Sequence, residues 1–200
     1  MSGVAYIDRY RANRLRVFER LNSLSFANKA ALSLTFALLT GLSAQVRIYT
    51  PFSPVPFTLQ VLPVLLAGAV LGRYFGGASQ LAYLAMGAAG LPVFAGWRFG
   101  PAVLLGPTGG YLIGFLLAAF VTGWLVHSSD NARSTPRIIL AMAAGMGIIY
   151  TLGTLQLALL LGLDARQAVA AGILPFVGLD LVKILAAAGL ARAALPGARA

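Results

Sequence analysis

The sequence of 200 residues contains no cysteine, one histidine and only five acidic residues. The absence of cysteine excludes disulfides and thiolate chemistry, and His127 with so few carboxylates leaves almost no ligands for a dedicated metal site. Charged residues make up 10% of the chain, whereas soluble domains carry about 25%. A chain so poor in charge cannot cover its surface with polar groups, so the composition favours a protein embedded in lipid.

The dominant feature of the sequence is a set of four long runs without any charged residue. Residues 48–72, 74–97, 99–129 and 138–163 form runs of 25, 24, 31 and 26 residues. Because a spanning helix needs roughly 20 apolar residues, each run is long enough to cross a bilayer. The first twenty residues are instead polar and rich in arginine, which is not the pattern of a secretory signal peptide.

These runs predict an all-α membrane protein, a bundle of six transmembrane helices in one domain over residues 24–195. The predicted segments lie near 24–46, 58–72, 75–90, 107–127, 136–162 and 171–193, and the second and third are short and nearly fused at Arg73. A basic segment, residues 1–23, precedes the domain. The outer loops are predicted near 47–57, 91–106 and 163–170.

The distribution of lysine and arginine predicts that both termini are cytoplasmic. Six spans place both termini on one side, and that side would hold eleven of the fifteen basic residues: Arg9, Arg11, Arg14, Arg16, Arg20, Lys29, Arg73, Arg133, Arg137, Arg192 and Arg199. The other side would hold Arg47, Arg98 and Arg166, and Lys183 lies inside a span. Short cytoplasmic loops carry this excess of positive charge. The net charge of +10 therefore reflects mostly topology and affinity for anionic lipid, and no nucleic-acid module is evident. Contact with a partner is the other interpretation of the basic N-terminal stretch.

Two outer loops combine aromatic residues with irregular backbone. The first reads RIYTPFSPVPF, in which three prolines forbid a regular helix. It is either an interfacial loop with aromatic anchors or a lid over a pocket, and Gln60 just after it is costly to expose to lipid. In the second loop, Trp97 is expected to mark the interface, whereas Arg98 either does the same or presents a cation to an anionic ligand.

The stretch GPTGGYLIGF breaks the backbone at the start of an apolar helix. Thr108 can cap this helix, and Gly109 and Gly110 leave their backbone open to close approach. The break either forms a recess with N–H donors for a ligand or lets neighbouring helices pack tightly. The sequence alone leaves both interpretations open.

Asp180 and Lys183 lie at positions i and i+3 inside the last apolar segment, which is kinked or begins anew at Pro175. Ionisable residues within a span face the bundle interior and are functional candidates. The pair either joins helices as a neutral unit or binds a ligand, with Lys183 meeting a carboxylate and Asp180 accepting N–H donors. The two loops and this pair together predict an extracytoplasmic pocket for a small polar molecule with an apolar body.

Four motifs in this order, VPFTLQ, GLPVF, GPTGGY and D-x-x-K at 180–183, resemble the BioY family, the biotin-binding S components of energy-coupling-factor transporters. The resemblance implies high-affinity capture of biotin from outside, with Asp180 and Lys183 in its site. It also implies a lid formed by the loop around Phe52–Phe57, and walls that include Gln60, Phe94, Gly109, Gly110 and Tyr111. Thr108 and Arg98 complete the candidate binding residues, and which cation takes the biotin carboxylate stays open.

The resemblance also implies partners, namely a transmembrane coupling component and ATP-binding subunits. Small residues four apart in the first predicted helix form a groove, and the resemblance assigns docking of the coupling component to Ala27 and Ala31. Packing within the bundle is the other interpretation of this groove. No Walker-type motif is evident, so we expect no ATP hydrolysis, catalytic residue, metal or cofactor in this chain. The expected location is the cell membrane of a bacterium or archaeon.

Two other functions are compatible with the residues. One is an S component for a different vitamin. The other is a small membrane enzyme that acts on a lipid-like substrate, with Asp180 and Lys183 as acid–base groups. A lone acidic residue lacks the paired carboxylates or metal ligands that most such chemistry needs, so the transport function is favoured.

Overall fold

The computed structural model describes residues 3–51, 53–129 and 133–196. Within them the chain forms eight helices and one pair of strands. In chain order these are α1 (Gly3–Ser23), α2 (Phe26–Ser43), β1 (Arg47–Thr50), β2 (Ser53–Thr58), α3 (Val61–Ala88), α4 (Pro101–Leu104), α5 (Gly109–His127), α6 (Thr135–Leu161), α7 (Ala165–Gly172) and α8 (Val177–Ala194).

Helix α3 folds back on itself at Gly72, which has a φ of 77° and is not helical. A Cβ added at Gly76 would lie 2.7 Å from the Cα of Gly68. In a straight helix, residues eight apart are separated by about 12 Å, so the two arms must run back along each other. These arms, residues 61–71 and 73–88, are the predicted second and third segments.

The membrane helices match the predicted all-α bundle. Three described helices, α3, α5 and α6, are long and apolar enough to cross a membrane, and α7 with α8 forms a fourth span bent by 51°. Because α3 has two arms and α2 packs against it, the bundle contains six membrane segments. Helix α5 lies at its centre, with extensive contacts to α3 and α6.

The first outer loop differs from the prediction of irregular backbone, which is wrong for the described part of that loop. β1 and β2 pair antiparallel, with Arg47 opposite Thr58 and Ile48 opposite Phe57. The prolines do forbid a helix, but β2 is an edge strand, where a missing backbone donor is tolerated. Phe52, at the start of the predicted lid, lies outside the described residues.

The last predicted loop and span also differ in detail. Residues 163–170 include most of the short helix α7, which begins with a capping box in which Asp164 and Gln167 bond to each other's backbone N–H groups. The chain then breaks and α8 begins at Val177, just after Pro175, which agrees with a new start at that proline. Asp180 therefore lies in the first turn of α8.

Helix α1 lies across the end of the bundle where α5 and α8 terminate. The Arg14 guanidinium donates to the carbonyl of Leu195, just after α8. The Phe18 ring stacks on His127, the last residue of α5, with centroids 6.1 Å apart. The basic N-terminal segment is thus a helix that is held against the bundle.

Candidate ligand-binding site

A cavity of about 600 Å³, including its open mouth, lies at the end of the bundle opposite α1. The polar wall residues are Thr58, Gln60, Arg98, Thr108, Tyr111, Tyr150, Asp180 and Lys183. The remaining wall is apolar: Val55, Pro56, Val61, Phe94, Ala95, Val103, Leu112, Phe115, Met146, Ile149 and Phe176. The cavity therefore offers a few polar groups in an apolar enclosure.

Asp180 is the centre of a polar cluster on one side of this cavity. Its Oδ1 accepts from the Lys183 Nζ at 2.7 Å, and its Oδ2 accepts from the Tyr150 hydroxyl at 2.7 Å. Asp180 is 4% exposed and Lys183 is 9% exposed. The partial positive charge at the start of α8 further favours the carboxylate. A buried charge with these partners is compensated, and its position on the wall lets it face a ligand.

Gln60 belongs to a second polar group at the start of α3. Its amide nitrogen donates to the Tyr83 hydroxyl at 2.7 Å, and its amide oxygen accepts from the Thr58 hydroxyl at 3.2 Å. Tyr83 also meets the buried Phe94 ring edge to face, with centroids 5.5 Å apart. These contacts fix both Gln60 and Phe94 on the wall, as the sequence predicts for residues that face the interior.

Arg98 lies in a tight loop, residues 94–98, that closes another side of the cavity. The loop is closed by the Phe94 N–H, which donates to the Arg98 carbonyl at 3.1 Å. Gly96 and Trp97 within it have φ values of 82° and 58°. The Arg98 Nε donates to the Ala95 carbonyl at 2.9 Å, and no acidic side chain of the described residues pairs with its guanidinium.

The two glycines and the threonine of the GPTGG stretch have different roles. A Cβ at Gly109 would lie 1.7 Å from the Leu104 carbonyl oxygen, and one at Gly110 would lie 2.2 Å from that of Leu152. Both glycines therefore serve close packing of the backbone, and neither lies on the cavity wall. Thr108 lies on the wall but makes no side-chain bond that caps α5, so the capping prediction is wrong.

Tyr111 is on the wall, and its hydroxyl donates to the carbonyl of Gly172 at 2.9 Å, which joins α5 to the end of α7. The β-hairpin closes over the same region. Phe57 from β2 packs on Phe176, just before α8, with ring centroids 4.7 Å apart. The described part of the first outer loop thus covers the cavity in the way a lid would.

Two polar residues, Tyr150 on the cavity wall and Gln156 behind it, are not recognisable as functional from the sequence. Tyr150 holds Asp180, which lies thirty positions further along the chain. Gln156 donates from its amide nitrogen to the carbonyls of Leu104 and Gly106 and so fixes the turn before α5. Both lie in the long apolar helix α6, where the only available signal is a polar group within a span.

The predicted docking residues lie away from the cavity, on α2. Ala27 and Ala31 are both exposed. Leu34 and Leu38 further along this helix are 52% and 53% exposed. The other small residues of the predicted groove, Ser33, Ala37, Thr40 and Gly41, are instead buried within the bundle. Ala27 and Ala31 therefore lie on a separate face of α2 that the described part of the chain does not cover.

Comparisons with known proteins agree with this architecture. The chain matches the BioY family over residues 14–199. A biotin transporter BioY of Thermotoga maritima is 46% identical over 144 residues, which are 72% of this chain and 83% of the relative. A biotin transporter BioY of Rhizobium etli is 37% identical over 167 residues, which are 80% of this chain and 89% of the relative.

A solved structure has the same fold. It is a crystal structure at 2.1 Å of the S-component for biotin from an ECF-type ABC transporter. The two chains superpose with a TM-score of 0.78 at 24% identity, over 85% of this chain and 93% of that chain. Such similarity at low identity shows a shared bundle architecture.

Proposed function

Since the chain belongs to the BioY family, we infer that it is the biotin-capturing S component of an energy-coupling-factor importer. It is a multi-pass membrane protein and a transport protein rather than an enzyme. The observation that carries the inference is the buried cluster of Asp180, Lys183 and Tyr150 on the wall of an otherwise largely apolar cavity.

The chemistry of the cavity suits biotin. Biotin has a ureido ring with two N–H donors and one carbonyl, an apolar thioether ring, and a tail that ends in a carboxylate. Among the described residues, Asp180 is the only acidic one on the wall, and it is suited to accept from the ureido N–H groups. The apolar wall residues suit the thioether ring and the methylene tail.

Arg98 is the cation that we assign to the carboxylate of biotin. Lys183 already forms an ion pair with Asp180 at 2.7 Å, so its charge is largely neutralised. Arg98 has no such acidic partner among the described residues, and it lies on the cavity wall. A guanidinium also matches the two oxygens of a carboxylate in a bidentate geometry.

The partners follow from the proposed role. The chain has no evident ATP-binding motif, so we propose that import depends on a transmembrane coupling component and on ATP-binding subunits. Ala27 and Ala31 on the exposed face of α2 are the proposed docking site. The excess of lysine and arginine on one side of the protein supports termini on the cytoplasmic side of the cell membrane. The cavity, at the opposite end of the bundle, then opens on the outer side.

An S component for another vitamin is the alternative function, and the Asp180 cluster favours biotin because a ureido ring supplies two N–H donors to one carboxylate. The test is equilibrium binding of biotin, biotin methyl ester and other vitamins to the purified chain in detergent. We expect tight binding of biotin and weak or absent binding of the other vitamins. A folded chain that prefers another vitamin would contradict the proposal.

Biotin methyl ester tests the role of Arg98, because the ester lacks the carboxylate charge. Arg98→Ala should weaken biotin binding about tenfold, as expected for loss of one charged hydrogen bond at a partly exposed site. The same variant should change the affinity for the ester less than about twofold. Equal losses for both ligands would place the carboxylate elsewhere, with Lys183 as the next candidate.

A further inference from the structure

The side-chain amide of Gln45, just after α2, forms hydrogen bonds to three segments: the end of α2, the 94–98 loop and the start of β1. Its nitrogen donates to the carbonyls of Gly41 and Phe94, each at 3.1 Å. Its oxygen accepts from the Trp97 N–H at 3.1 Å and from the Arg47 guanidinium at 3.3 Å. A primary amide has two donors and two main acceptor positions, so Gln45 is fully satisfied.

Two of these bonds hold the 94–98 loop in an uncommon conformation. Trp97 is the only residue other than glycine with a positive φ in the described part of the chain, at 58°. Such a conformation is strained and persists only where surrounding contacts fix it. The Trp97 side chain is 59% exposed and contributes little packing. The bond from the Trp97 N–H to Gln45 restrains this residue from outside the loop, whereas the Phe94–Arg98 and Arg98–Ala95 bonds lie within the loop.

The restrained loop is a wall of the proposed biotin site. Phe94, Ala95 and Arg98 all line the cavity, whereas Gln45 does not. Any effect of Gln45 on the ligand must therefore be indirect, and the loop is the wall segment that Gln45 contacts directly. The bond to Arg47 also links the loop to the first residue of β1, and hence to the hairpin that covers the cavity.

We infer that Gln45 is a positioning residue for ligand binding: it holds the 94–98 loop so that Arg98 faces the biotin carboxylate. This inference rests on the proposed function. Its consequence is that the end of α2, the helix with the proposed docking face, fixes one wall of the cavity.

Gln80 provides a matched control for a purely structural role. It also ties α2 to α3, since its amide nitrogen donates to the Thr40 hydroxyl at 3.3 Å. It is fully buried and does not line the cavity. Replacement of either glutamine by methionine keeps the length of the side chain and removes its hydrogen bonds.

The experiment measures affinity for biotin and for biotin methyl ester, and the thermal midpoint of unfolding, for wild type, Gln45→Met and Gln80→Met. Gln45→Met should weaken biotin on the order of 10-fold, and the ester less than about twofold. Gln80→Met should leave both affinities unchanged, whatever it does to the unfolding midpoint. Gln45→Glu keeps the acceptor for Trp97 and Arg47, so it should bind biotin more tightly than Gln45→Met.

Combination with Arg98→Ala tests whether Gln45 acts through Arg98. Gln45→Met should add less than about twofold to the loss caused by Arg98→Ala, because the residue that it positions is already gone. A full additional tenfold loss would show that Gln45 acts by another route and would overturn the inference.

The outcomes separate this inference from the proposed function. A folded wild type that does not bind biotin would overturn both. Biotin binding by wild type with an unchanged affinity in Gln45→Met would overturn the inference alone. Equal losses of biotin affinity in Gln45→Met and Gln80→Met would assign Gln45 a structural role, which would also overturn it.

Discussion

The two ends of the bundle are built in opposite ways. At the cavity end the chain leaves the α-helical conformation: a β-hairpin, the 94–98 loop and the break before α8 all meet there. At the other end α3 reverses at Gly72, and glycines bring backbones into direct contact. A Cβ at Gly123 would lie 2.5 Å from the Arg73 nitrogen, and the His127 Nε2 lies 2.8 Å from the Ala69 carbonyl oxygen.

In a chain with so few polar residues, this difference places the residues that bind the ligand apart from residues that stabilise the bundle. Irregular backbone at membrane depth is tolerated only where protein buries it or where it lines a cavity. Three of the polar wall residues, Gln60, Asp180 and Lys183, are nearly fully buried and are bonded to one another or to tyrosines. Close packing at glycines also occurs near the cavity, at Gly109 and Gly110, but at the Gly72 end it lies away from the cavity wall. Substitutions at the Gly72 end and at the cavity wall should therefore affect different properties.

Asp180→Asn should have the largest effect on binding. The change removes the charge that pairs with Lys183 and weakens the acceptor for the ureido N–H groups. Loss of one charged hydrogen bond of about 1.5–3 kcal/mol corresponds to a roughly 10- to 150-fold weaker affinity for biotin. Calorimetric titration of the purified variant measures it.

Asp164→Asn is the matched control, because Asp164 caps α7 and does not line the cavity. It should bind biotin like the wild type. If Asp180→Asn kept full affinity for biotin in a well-folded protein, Asp180 would not be part of the binding site. The assignment of ligand binding to the cavity end of the bundle would then be wrong.

Gly68→Ala should affect stability and not affinity. The added Cβ would lie 2.3 Å from the Ala119 carbonyl oxygen, so α3 and α5 must move apart. Overpacking of this kind costs about 1–3 kcal/mol of unfolding free energy. Thermal unfolding in detergent should therefore shift to a lower temperature, while the folded fraction keeps the wild-type affinity for biotin.

Gly147→Ala is the control for this prediction, since a Cβ there has no neighbour within 4 Å. It should leave stability unchanged or raise it by about 0.5–1 kcal/mol, because alanine is the better helix former. A loss of biotin affinity in Gly68→Ala that exceeds the loss of folded protein would show that the two ends are coupled.

Ala27→Leu with Ala31→Leu should have the smallest effect on the chain itself. Both residues are exposed on α2, so the larger side chains meet lipid and change neither stability nor biotin affinity. They should reduce co-purification with the coupling component, because they fill the proposed docking groove. Ala144→Leu is the control, because Ala144 is exposed on a different helix, α6. If the double variant still co-purified with the coupling component as the wild type does, Ala27 and Ala31 would not belong to the docking site.

The sequence predicts those features that depend on local composition. The six segments follow from the charge-free runs, and Asp180 with Lys183 is recognisable because two charges three residues apart inside an apolar segment must face protein. The β-hairpin was not predictable, because its prolines indicate irregular backbone, and edge pairing depends on where the strands meet. Tyr150 and Gln45 act on residues 30 and 52 positions away, and only the fold reveals such contacts.

The roles of the two glycines after Thr108 show the same limit. Gly109 and Gly110 are compatible with a ligand recess or with close packing, and their neighbours decide between these. The Leu104 carbonyl precedes α5 by only a few residues, but the Leu152 carbonyl comes from α6, across a helix interface. A local pattern cannot identify which backbone approaches a glycine.

The most direct test of the central claim, that this chain captures biotin in the cavity beside Asp180, is calorimetric titration of the purified wild-type chain with biotin in detergent. We expect saturable binding of one biotin per chain, without any partner subunit. Absence of binding by a chain whose thermal unfolding shows it to be folded would contradict the claim.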